Sequence, residues 1–129
     1  MNKILVEISV GELLDKISIL EIKIEKIKDL EKLKFINDEY NVLKDQLNKN
    51  VKYDDKLDKL FRSLKKINAK LWVIEDDKRL CEKNSDFGEK FTKLSRDVHF
   101  LNDDRAKIKL EINNHTGSKI KEIKEYTNY

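Results

Sequence analysis

Two rows of side chains combine charge, amide and an aromatic ring at helical spacing, a chemistry that suits a ligand site or a buried polar network. Asn68, Trp72, Glu75, Arg79 and Glu82 follow one another at steps of four, three, four and three beside the apolar Ile67, Leu71 and Ile74. Ser95, His99, Asn102, Lys109 and Asn113 flank Leu94, Val98, Leu101 and Ile108, and Arg105 falls on that apolar row itself. Polar groups beside a buried seam are costly unless paired or used, so the two rows point to a ligand site or a specificity network. Only four arginines, at 62, 79, 96 and 105, stand among twenty-four lysines. In so lysine-biased a chain, arginine marks places that need a planar fork of donors.

Several chemistries compete for these residues. Arginine, lysine and asparagine donors on one wall suit a phosphate or carboxylate, with Arg79 and Arg105 supplying charge, Asn68 and Asn102 orientation, and Trp72 an apolar wall. Glu75 would align Arg79, and Glu82, His99 and Lys109 complete the candidate set. An enzyme acting on a phosphorylated or carboxylated metabolite, with Glu75 or Glu82 as general base, is the first alternative. The second is a purely structural oligomer, in which Arg105→Leu stabilises the fold. Glu75, Arg79 and Glu82 also read as an ordinary surface ladder of i,i+4 and i,i+3 pairs.

Other signatures fail. Arg79 between Glu75 and Glu82 would compete with a bound cation, so no metal is expected. His99 and His115 have no partners at zinc spacing, and Gly11, Gly88 and Gly117 form no phosphate loop. No cofactor is implied. Cys81 reads as a buried thiol rather than a nucleophile. The run Lys56, Lys59, Arg62, Lys65, Lys66 and Lys70 could follow a phosphate backbone, but it lacks interleaved aromatics. With 28 basic residues against 25 acidic ones the net charge is only +3, which argues against nucleic acid as a partner.

The elements that must carry these rows follow from composition and period. A chain of 129 residues with 39% hydrophobic and 41% charged residues, no proline and three glycines reads as one all-α domain, an antiparallel helical bundle or long helical hairpins. Residues 4–8 form a short extended arm, and Ser9-Val10-Gly11-Glu12 offers a capping box for a helix over 10–28 with the seam Leu13, Ile17, Leu20, Ile24 and Ile27. Asp29 can cap a second helix over 30–48, although a single kinked helix over 10–48 fits the same pattern. A third helix spans 55–83 and a fourth 87–115 behind a second box, Asp86-Phe87-Gly88-Glu89. Residues 118–129 are a tail after Gly117. A short link between two long seams predicts an antiparallel hairpin, in which Arg105 and Asn102 come level with Asn68 to Trp72.

Leu14, Ile19, Ile22, Val42, Phe61, Val73, Leu80, Phe100 and Leu110 lie off the seams. They suggest self-association, with a dimer favoured. The first residues lack the plan of a signal peptide and no apolar run could span a bilayer, so the expectation is a cytoplasmic protein with no membrane partner, consistent with one free cysteine.

The stretches Ser9 to Ile17, Leu71 to Glu82 and Asn102 to Lys107 resemble a small family of bacterial and phage proteins filed as a domain of unknown function. The likeness spans nearly the whole chain, and its middle stretch is the most distinctive. The resemblance implies one compact helical domain whose three polar stretches belong together, and it brings no activity. The family pattern has an apolar residue at position 78, so Lys78 would have to snorkel or face solvent.

Overall fold

The structure, a computed structural model, describes residues 2–129. Four helices follow an exposed, irregular arm: α1 (Val10–Lys26), α2 (Leu30–Asn50), α3 (Asp55–Lys83) and α4 (Glu89–Thr116). The described residues contain no strand.

Local chemistry sets most of the boundaries. Ser9 Oγ accepts from the Glu12 N–H at 3.0 Å and starts α1. Glu12 does not reach back to close the box; its carboxylate is taken by Lys109 at 2.8 Å. Asp29 breaks the long N-terminal pattern into two helices by accepting from the N–H groups of Glu31 and Lys32, at 3.0 and 3.2 Å. Asp54 caps α3 through Leu57 N–H at 2.8 Å and also meets His115 Nε2, which ties the start of α3 to the end of α4. Its carboxyl lies below the usual range because of the Leu57 bond and then the histidine.

The second expected box is not made. Ser85 adopts a left-handed φ of 53°, and the Asp86 N–H bonds back to the Cys81 carbonyl at 2.8 Å, so Asp86 closes α3. Gly88 is the N-cap of α4 and has no side chain to bond the helix end, Asp86 Oδ1 accepts from the Gly88 N–H at 3.3 Å, and the helix begins at Glu89 rather than 87. It ends at Gly117, whose left-handed φ of 68° suits glycine.

α1 lies at the centre and packs on each of the other three helices. One core unites Leu13, Leu14 and Ile17 of α1 with Leu47, Leu57, Leu64 and Ile112. Leu14 and Ile22, off the single seam read from sequence, are buried within the chain and do not supply an outer contact face. α1 therefore has two inward faces, and the second carries Gly11, Asp15 and Ser18 as well. Lys65 of the basic α3 run turns to Glu21 and Glu25 of α1 at 3.1 and 2.7 Å, and Arg62 pairs with Asp58. Cys81 is buried with its thiol free, and Lys78 snorkels, placing its ammonium 5.6 Å from the centre of the Phe91 ring.

Candidate functional site

Asp15 projects from α1 into the angle between α3 and α4 and is 1% exposed. Arg105 of α4 grips it with both edges of a fork: Nε donates to Oδ1 at 2.9 Å, and a terminal nitrogen donates to Oδ2. Asn68 of α3 donates through Nδ2 to Asp15 Oδ1 at 2.9 Å and to Ser18 Oγ at 2.7 Å, while the Ser18 hydroxyl donates to the Asp15 carbonyl. Lys109 stands 3.7 Å from the same carboxylate and donates to Glu12 and, at 3.2 Å, to Glu122 of the C-terminal segment. Three helices thus meet on one acid. Among the described residues no buried side-chain polar atom lacks a partner.

Burial would push the Asp15 carboxyl up, but the bonds from Arg105 and Asn68 and the charges of Arg105 and Lys109 together hold it below the ordinary value. The Asp15 bond, with burial opposing it, raises Arg105 in turn. For Lys109 burial is the largest influence and acts downward, yet Glu12, Asp15 and Glu122 outweigh it and raise the ammonium. All three groups are fixed in their charged forms.

Above this floor opens a cleft of about 470 Å³ between α3 and α4. Ile19, Asn68, Leu71, Trp72, Glu75, Asp76, Arg79, Asn102 and Arg105 line it. Six residues expected from the two polar rows, Asn68, Trp72, Glu75, Arg79, Asn102 and Arg105, are therefore brought together. Arg105 reaches Asn102 Oδ1 at 3.4 Å, a long bond that leaves that edge of the guanidinium weakly engaged. Glu75 and Arg79 are exposed on the rim. Among the described residues Arg79 forms no ion pair, so Glu75 does not align it as the sequence reading expected.

Three expected members lie elsewhere. Glu82 is exposed, two helical turns beyond Glu75 and past the end of the cleft. His99 is exposed and packs against Phe100 and Tyr129, with ring centres 4.5 and 5.5 Å away. Lys109 is buried beneath the cleft and occupied by carboxylates. Sequence reasoning missed Asp15, the acid that organises the floor, and also Ser18 and Glu12. The signal for the first two was Gly11, Asp15, Ser18 and Ile22 at steps of four, three and four.

No three His, Cys, Asp or Glu side chains among the described residues stand together as a metal cage. No helix of the described residues is long and apolar enough to cross a membrane.

The model of a family of unknown function, DUF6165, matches residues 4–129. The chain belongs to that family. The match takes in all of the DUF6165 stretches that meet here: the α1 segment with Asp15, the α3 segment with Trp72 to Arg79, and the α4 segment with Asn102 and Arg105. Neither a curated protein nor a solved structure matches the chain.

Proposed function

We propose that this chain acts through binding, taking a small anionic ligand with carboxylate or phosphate oxygens into the cleft between α3 and α4. The observation that carries the reading is Arg79. Its guanidinium stands at the cleft with no ion-pair partner among the described residues, although Glu75, Asp76 and Glu82 lie within helical reach. Arg105, held by Asp15, adds a pre-set donor edge at the floor, and a fork whose orientation is already fixed loses little entropy on binding. Trp72 offers an apolar wall, and Glu75 and Asp76 can accept from donors on the same ligand. Asp15 itself is an anchor. A carboxylate held ionised below its ordinary value is a weak base and has no proton to give. The free thiol of Cys81 fits a cytoplasmic setting for this role.

The test is thermal unfolding with inorganic phosphate, pyrophosphate or citrate at matched ionic strength, on the natural chain and on Arg79→Ala. At about ten times Kd, one of these probes should raise Tm by roughly 5 °C, and Arg79→Ala should remove the shift. No shift with any probe, or a shift that survives in Arg79→Ala, overturns the reading.

A further inference from the structure

A second opening of about 650 Å³ lies between α3 and α4, apart from the cleft that holds Arg79 and Arg105, and it is apolar. Val73, Ile74, Phe100 and Leu101 form its lining, with Val73 49% and Phe100 39% exposed. Lys66 and Lys70 stand along its α3 edge, and neither forms an ion pair among the described residues. On the α4 edge Asp97 is neutralised by Lys93 at 2.7 Å. An apolar trough with an unneutralised basic rim selects a helix that carries apolar and acidic side chains on one face.

The chain contains such a helix. α2 turns Leu47 inward, and its opposite face presents Phe35, 74% exposed, and Val42, 61% exposed. Glu31, Asp38 and Asp45 lie along the same face at i, i+7 and i+14, all exposed. Glu31 and Asp38 form no ion pair among the described residues, while Asp45 is paired with Lys49. Phe35 and Val42 are seven residues apart, as are Glu31 and Asp38, about 10.5 Å along α2, so an apolar row and an acidic row run side by side on this helix. The groove and this face of α2 are thus both apolar and carry unpaired charge of opposite sign.

We propose that the α3–α4 groove receives the outer face of α2 from a second copy of this chain. Phe35 and Val42 fill the trough against Val73 and Phe100, and Glu31 and Asp38 meet Lys66 and Lys70. Two copies related by a two-fold axis make the contact twice, each giving its α2 and its groove. The two openings share no lining residue, so the contact does not draw on the side chains of the Arg79 cleft.

Sedimentation velocity over a concentration series tests the proposal. The natural chain should associate to about 31 kDa, twice the 15.4 kDa of one copy. Phe35→Ser with Val42→Ser, and separately Val73→Ser with Phe100→Ser, should each weaken association about tenfold or more without loss of helicity, since Phe35 and Val42 are largely solvent-facing and Val73 and Phe100 lie outside the buried core. Lys66→Glu with Lys70→Glu should do the same, and adding Glu31→Lys with Asp38→Lys should restore it. A chain that stays at 15.4 kDa at every concentration overturns the proposal, as does an assembly that survives either apolar pair of substitutions or a charge reversal that the reciprocal change fails to rescue.

Discussion

Arg105 and Asp15 have to be judged together, because each is costly to bury without the other. Removing one member of a buried pair leaves an uncompensated charge, which costs about 3–5 kcal/mol. Arg105→Leu should therefore destabilise the chain by that amount in urea unfolding at pH 7, the reverse of what a purely structural role for Arg105 predicts. The pH dependence carries the same logic. The folded carboxyl of Asp15 lies below its ordinary value, so the pair's contribution is complete above the unfolded value of about 3.9 and is lost as pH falls through the lower folded one. In Arg105→Leu burial acts on Asp15 with its strongest opponent gone, its carboxyl takes a proton at higher pH, and the gap to the natural chain should narrow between pH 7 and about pH 3. Equal stability at pH 7 would mean that the fork does not hold Asp15. The inward turn of Arg105 was legible in sequence because it occupies an apolar slot. Asp15 was not, because the clean row from Leu13 to Ile27 implies one buried face and leaves acids beside it to solvent. His99 fell away for a geometric reason: six residues before Arg105, it points about 120° around α4 from it.

At the scale of the elements, sequence marks helix starts well where an acceptor side chain has only one backbone to serve. Ser9, Asp29 and Asp54 each bond the N–H groups of the helix that follows. Asp86 does not complete the box because its N–H is spent on Cys81, leaving Glu89 nothing to reach back to, and its carboxylate accepts from the Gly88 N–H ahead of the helix. The close approach of α1 and α4 depends on a glycine. A Cβ on Gly11 would sit 2.7 Å from the Lys109 carbonyl of α4 and 3.0 Å from Asn113 Oδ1, the atom that accepts the Gly11 N–H at 2.7 Å. Backbone on the far side cannot swing away as a flexible side chain could, so α1 and α4 must separate. Gly11→Ala should cost about 1–3 kcal/mol, as overpacking does. Gly88→Ala is the milder comparison, since its nearest neighbour is 3.7 Å away and only the N-cap preference for glycine over alanine, a fraction of the overpacking cost, is lost. If the two variants melt at the same temperature, the close approach of α1 and α4 is wrong.

Over the whole molecule, seam periodicity predicts four helices and the α3–α4 hairpin, and it sets Arg105 and Asn102 level with Asn68 to Trp72, where one cleft collects them. It does not say which helix lies in the middle, because a buried stripe names no partner; that choice appears only once the second inward face of α1 is seen. The consequence is an uneven distribution of stability. α1 buries Gly11, Leu13, Leu14, Asp15, Ile17, Ser18, Leu20 and Ile22, whereas Leu47 is the only buried residue of α2. Local opening needs least free energy where few apolar contacts are broken. In native-state hydrogen exchange of the chain held monomeric by Phe35→Ser with Val42→Ser, the amides of residues 30–42 should exchange well before those of residues 13–22. Asp15, held from α3 by Asn68 and from α4 by Arg105, should keep the cleft floor intact while α2 opens. Protection of α2 equal to that of α1 would show that all four helices open as one unit, and α1 would then have no special place in the core.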